Sequence, residues 1–119
     1  MSAVDPLELA RVVTHRDGPT LIGVWPRAAA LLARQAVEDA MTRVLAVRAP
    51  GAERCANRPR LLCLREYVPD ELAERTAFLW ATLSRACHHH PYELSPNADE
   101  INAWIGEAEA VVGELEGLA

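Results

Sequence analysis

An all-α fold, a four- to five-helix up-and-down bundle, is what this sequence predicts, and three observations predict it. Ala and Leu dominate an apolar half, Val and Ile are modest, and aromatics make up 5% of the residues, a balance that favours helix over a β-sandwich. Apolar residues recur three and four positions apart in three long stretches. There is no strand-like alternation and no internal repeat. At 119 residues the chain is expected to form one domain, residues 1–119, long enough to hold a core without disulfide or metal staples.

The elements follow in order. Asp5 is placed to cap a first helix, with Pro6 in its first turn, running to about His15. "RDGPT" then breaks the chain at a Gly-Pro pair. A second helix spans roughly Pro26 to Val47; if it starts earlier, at Thr20, Pro26 should kink it. Its residues Ala29, Ala33, Ala36, Ala40, Val44 and Val47 make a small-residue packing face. A mixed face carries Leu31, Gln35, Glu38, Thr42 and Leu45, either half-buried surface or a subunit contact. "RAPGAERCANRP" is the one long linker, followed by a short helix at Pro59 to Tyr67.

Pro69 and Asp70 open a stronger helix whose stripe is Leu72, Thr76, Leu79, Trp80, Leu83 and Cys87. It should stop close to Pro91, because His90 precedes a proline. The last helix begins in "SPNADE", capped either by Ser95 with Pro96 behind it or by Asn97 and Glu100 as a capping box. Ile101, Trp104, Ile105, Ala108, Val111, Val112 and Leu115 form its apolar stripe, with acids on the other side. Core packing is the expected role of Trp80 and Trp104.

The net charge is -5, and all 12 basic residues are arginine. That balance argues against a general nucleic-acid binder, but the charge is unevenly placed. Residues 1–68 hold ten Arg against seven acids; residues 69–119 hold two Arg against ten acids. A local basic surface on an acidic protein is compatible with this, and so is pairing of opposite halves between chains. Cys55, Cys63 and Cys87 are odd in number and lack C-x-x-C spacing, so reduced thiols in a reducing compartment are expected. The first residues lack the basic start and apolar block of a signal peptide, and no apolar run approaches a membrane span. A cytoplasmic protein without membrane contact is the expectation.

"SRACHHHPYEL", residues 84–94, is the stretch that calls for chemistry. Three adjacent histidines on a helix point about 100° apart and cannot converge on one tetrahedral ion, and the i, i+4 pairing of helical metal sites is absent. No metal or cofactor is therefore expected, although a small helical metal-binding protein using Cys87 with His88, His89 and His90 stands as a third reading. A helix end, where His and Arg meet the last carbonyls and the negative end of the dipole, explains one or two of these residues. A nucleotide or RNA site explains more. Arg85 offers a permanently charged fork for phosphate, and a histidine offers acid-base chemistry near neutral pH. Arg85 and His90 stand about 140° apart on an ideal helix. They can cooperate only if the helix ends between them or if two chains meet on a two-fold axis.

Arg85, four intervening residues, His90, one residue and Tyr92 resemble the R-x4-H-x-Y motif of HEPN domains, small all-helical proteins of bacterial toxin–antitoxin and defence systems. "AALLARQAVEDAM" is similar to the first long helix of that family, and the resemblance covers residues 25–115. It implies a metal-independent endoribonuclease acting as a homodimer with a composite site. Arg85 would neutralise the scissile phosphate, and His90 would handle the proton on the 2′-hydroxyl or the leaving oxygen. Tyr92 would be the residue that a cognate nucleotidyltransferase antitoxin adenylylates. His89, four residues from Arg85, lies nearer its face than His90, and Glu38 is the candidate for orienting the arginine. The alternative is a catalytically inactive HEPN-like module for nucleotide or protein interaction, which the acidic balance and Ala86 beside the arginine favour.

Overall fold

In the computed structural model, which describes residues 5–14, 25–88 and 96–119, five α-helices pack as an all-α bundle. They are α1 (Pro6–Thr14), α2 (Trp25–Arg48), α3 (Asn57–Leu64), α4 (Asp70–Cys87) and α5 (Ala98–Glu116), with a 3₁₀ turn at Ala52–Arg54 between α2 and α3. The break at residues 16–20, and His89, His90, Tyr92 and Ser95, lie outside the described residues.

Helix α2 is the axle, with α1, α3, α4 and α5 all packed on it. Ala29, Ala33, Ala36, Ala40 and Val44 are buried as their spacing predicts, and the small side chains let neighbouring helices come close. The buried surface is wider than that one face. Ala30, Val37, Met41 and Leu45 are buried too, so Leu45 belongs to the core rather than to a mixed face. Val47, at the end of the small-residue row, is exposed. A helix surrounded by partners is buried over most of its circumference, which a single-stripe reading understates.

The remaining mixed face is where α3 docks. Asn57 Nδ2 donates to Glu38 Oε2 at 2.6 Å, and Arg60 donates to the Thr42 hydroxyl. This contact lies within the chain, so these two residues hold α3 on α2. Between the helices Gly51 has φ 104°, the left-handed region that favours glycine, and this turns the chain back after α2. Helix α3 starts at Asn57, ahead of Pro59, and gives way to a turn at residues 65–67.

The helix termini show why the ends fall where they do. Asp5 Oδ1 accepts from the Leu7 backbone N–H at 3.1 Å, the expected cap of α1. Helix α5 takes the second of the two caps offered by the sequence. Asn97 Oδ1 accepts from Glu100 N at 2.8 Å and the Glu100 carboxylate accepts from Asn97 N at 3.4 Å, a complete capping box. Asn97→Ala is expected to cost about 1 kcal/mol of stability, read as a lowered midpoint in urea with an unchanged slope.

Leu72, Thr76, Leu79 and Leu83 of α4, and Ile101, Ile105, Ala108, Val111 and Leu115 of α5, are buried as predicted. Trp80, Trp104, Cys87 and Val112 are only partly buried at the edge of that core. Buried Thr76 satisfies its hydroxyl by donating to Leu72 O at 2.7 Å. The acids of α5 reach outward to arginines on three other helices. Glu109 meets Arg11 at 2.5 Å, Glu116 meets Arg43 at 2.6 Å, and Glu107 and Glu114 both meet Arg75, at 3.0 and 2.6 Å. Two of these pairs, Arg11–Glu109 and Arg43–Glu116, join the basic first part of the chain to the acidic second part within one molecule. Each exposed pair contributes little to stability, but together they decide which arginines are already occupied. No described helix is long and apolar enough to cross a membrane.

Candidate functional site

Arg85 is the last basic residue of α4, and it is exposed. The helix ends two residues later, at Cys87, and His88 follows in an extended conformation, φ -91° and ψ 135°. The helix therefore stops earlier than Pro91 alone requires. Because it ends between Arg85 and His90, the 140° separation of an ideal helix does not apply to the pair, and that separation no longer argues for a dimer. His89, His90 and Tyr92 fall outside the described residues.

Arg85 and His88 stand at one end of a groove of about 750 Å³ between α3 and α4, floored by apolar side chains and reaching Arg34 on α2. Arg58 and Arg65 come from the α3 side. They are seven residues apart, two turns, and so share a face. Trp80 lies in the wall, and the Arg58 guanidinium carbon stands 6.0 Å from its ring centroid, at the outer limit of a cation–π contact. Arg34 is held from two sides, by Glu38 at 3.6 Å and by the Ser84 hydroxyl at 3.4 Å. Glu38 thus holds an arginine, but it is Arg34 rather than Arg85.

Three arginines of this groove stand without a carboxylate. Among the described residues, Arg58, Arg65 and Arg85 have none within 4.0 Å; Arg27, Arg48, Arg54 and Arg60 have none either, but Arg58, Arg65 and Arg85 line one groove, whereas Arg11, Arg43 and Arg75 are each paired with α5. Unpaired guanidinium groups close together repel one another, and a phosphate relieves the repulsion while satisfying their planar forks. One further donor of a groove residue, Trp80 Nε1, is buried without a hydrogen-bond acceptor among the described residues, while Arg34 Nε makes no hydrogen bond but faces Glu38 Oε1 at 3.6 Å. The arrangement suits a ligand with several phosphates or a phosphodiester chain, with Trp80 as an aromatic surface beside them.

Cys87 sits next to this region, and burial raises its thiol above the usual value, with Arg34 opposing the rise and Glu38 adding to it. It is a poor thiolate nucleophile in that setting. Among the described residues no three His, Cys, Asp or Glu side chains are grouped to hold a metal ion.

Reading the motif alone overlooked Arg34, Arg58 and Arg65. A signal for two of them was present, since residues 54–65 contain four arginines and no acid. No family model, curated protein or solved structure matches this chain.

Proposed function

We propose that this chain binds RNA along the groove between α3 and α4 and cleaves it as a metal-independent endoribonuclease of HEPN type, in a bacterial toxin–antitoxin or defence system. One observation carries the binding: Arg34, Arg58, Arg65, Arg85 and His88 line one groove with Trp80, and three of these arginines have no carboxylate partner among the described residues. The arginines would track the backbone, and Trp80 offers a face on which a base stacks.

Cleavage needs two further groups, a cation at the scissile phosphate and a proton carrier. Arg85 at the groove's end would stabilise the charge that grows on the phosphoryl oxygens. His90, with His88 and His89 beside it, would take the 2′-hydroxyl proton as that oxygen attacks phosphorus. The bond to the 5′-oxygen then breaks, and that oxygen takes up a proton. The products are a 2′,3′-cyclic phosphate and a 5′-hydroxyl, and no metal enters the balance. Tyr92 would be the point at which a cognate nucleotidyltransferase silences the enzyme.

A second reading is a non-catalytic module that holds RNA or a nucleotide in the same groove. It is favoured by the origin of the cations, since Arg34, Arg58 and Arg65 lie outside the R-x4-H-x-Y motif and binding does not depend on a histidine. The test is incubation of tRNA and total RNA in EDTA with the wild type and with Arg85→Ala/His90→Ala, after mass measurement shows Tyr92 unmodified. Cleavage by the wild type alone, leaving cyclic phosphate ends, is expected. An inert wild type with unmodified Tyr92 removes the enzyme and leaves the binding module, and unfolding in EDTA would return the Cys87/His88–90 metal reading.

A further inference from the structure

Helix α4 has a second flank. Against α5 it forms another groove, of about 550 Å³, which shares no residue with the arginine groove between α3 and α4. Phe78, Leu79 and Trp104 supply its apolar surface. Phe78 is the only phenylalanine in the chain, and at 76% exposure it is the most exposed large apolar residue among those described. Trp104 is only partly buried. Leaving this aromatic surface in water forfeits the burial that such side chains usually obtain.

The polar groups of the groove are already engaged, apart from negative charge. The Thr82 hydroxyl donates to Phe78 O at 2.9 Å, and Arg75 donates to Glu107 at 3.0 Å and to Glu114 at 2.6 Å. Glu74 at the rim, and Glu71 one turn before it, are exposed and have no basic partner within 4.0 Å among the described residues. Arg75 is thus a single cation beside four carboxylates, those of Glu71, Glu74, Glu107 and Glu114. The end of the groove towards the start of α4 is acidic, and the end towards Thr82 is apolar.

Shape and charge together select the occupant. A small molecule is usually buried over about 70% or more of its surface, but this groove is open, with Phe78 exposed on its rim, and covers one face of what lies in it. An amphipathic helix needs only one face covered. Glu74 and Thr82 stand eight residues apart, about 12 Å along the axis, which matches two turns of such a helix. The carboxylates repel nucleic acid and attract a basic segment.

We propose that the groove between α4 and α5 receives a basic amphipathic helix of a partner protein. Apolar side chains at i, i+4 and i+7 of that helix pack on Phe78, Leu79 and Trp104, and Lys or Arg side chains at one end meet Glu71 and Glu74. The aromatic anchors supply most of the affinity, and the charges fix the direction in which the helix lies. The arginine groove, on the other flank of α4, stays uncovered, so the proposal stands whether or not that groove binds RNA.

Fluorescence anisotropy with a labelled synthetic helical peptide tests it. The peptide carries leucines at i, i+4 and i+7 and lysines at one end; one control scatters the leucines around the helix, and a second replaces the lysines by glutamates. The first peptide is expected to bind at least about 10-fold more tightly than either control. Phe78→Ala should weaken it on the order of 30-fold, as loss of a central aromatic anchor does, while leaving RNA affinity within a few-fold, so the two grooves are read separately. Glu74→Lys should weaken the lysine peptide and strengthen the glutamate one. Both altered residues are exposed, and circular dichroism checks that each variant folds. Equal affinity for the three peptides, no binding to folded protein, or indifference to Phe78→Ala would overturn the proposal. So would sedimentation equilibrium in which Phe78→Ala dissociates a self-associated wild type, because a second copy of the chain would then be the occupant.

Discussion

Arg58→Ala/Arg65→Ala is expected to weaken binding of single-stranded RNA on the order of 100-fold while leaving the melting temperature unchanged. A hydrogen bond to a charged group contributes about 1.5–3 kcal/mol, and each 1.4 kcal/mol is about a factor of ten, so two lost phosphate contacts give this size of effect. Both side chains are exposed, and neither takes part in a salt bridge among the described residues. Their removal therefore costs the fold little. The salt dependence carries the mechanism. Each phosphate neutralised on a single strand contributes roughly 0.7 to the slope of log affinity against log salt, so the double variant should show a slope shallower by about 1.4. Fluorescence anisotropy with a labelled oligonucleotide, repeated across salt concentrations, reads both quantities. The matched control is Arg11→Ala/Arg43→Ala, whose arginines are occupied by Glu109 and Glu116 and whose loss should leave affinity within a few-fold.

Leu45→Ala is expected to destabilise the protein by about 3 kcal/mol, within the range for emptying a closed core site. Leu45 is 0% exposed and sits on the helix that every other helix touches, so little around it can collapse into the space. Leu31→Ala, on the same helix but 47% exposed, should change stability by no more than about 0.5 kcal/mol. In a protein of this size the first change lowers the melting temperature by roughly 10 °C. Parallel thermal melts of the two variants check the ranking. Similar shifts would mean that α2 does not occupy the centre of the bundle.

Helix positions and most of the core were legible because they depend on local chemistry and period. Pro6, Pro26 and Pro69 stand at or beside helix starts, and Asn97 with Glu100 closes α5, because capping is decided within four residues. The stripes of α4 and α5 pack on few neighbours, so a single period describes them. Helix α2 was harder. Leu45 and Glu38 share one sequence face, yet one is core and the other holds α3, a distinction set by what arrives from elsewhere in the chain.

The candidate site divides in the same way. Arg85 and the histidines stand in one short stretch and can be found by inspection. Arg34, Arg58 and Trp80 come together only when α3 folds back on α2 and α4. Net charge pointed away from nucleic acid because it counts the α5 acids equally, although the structure commits four of them to arginines on other surfaces. Charge that is already paired says little about the surface that remains.

The location of bound RNA decides whether the groove between α3 and α4 is its binding site. A single-stranded RNA carrying 4-thiouridine would be photocrosslinked to the wild-type protein, and the attached peptides identified by mass spectrometry. Crosslinks are expected in α3 and in the second half of α4, with Trp80 among the modified residues, and they should fade as salt is raised. Crosslinks confined to α1 or to the acidic side of α5, or none at all from protein shown to be folded, would contradict the assignment of this groove to RNA.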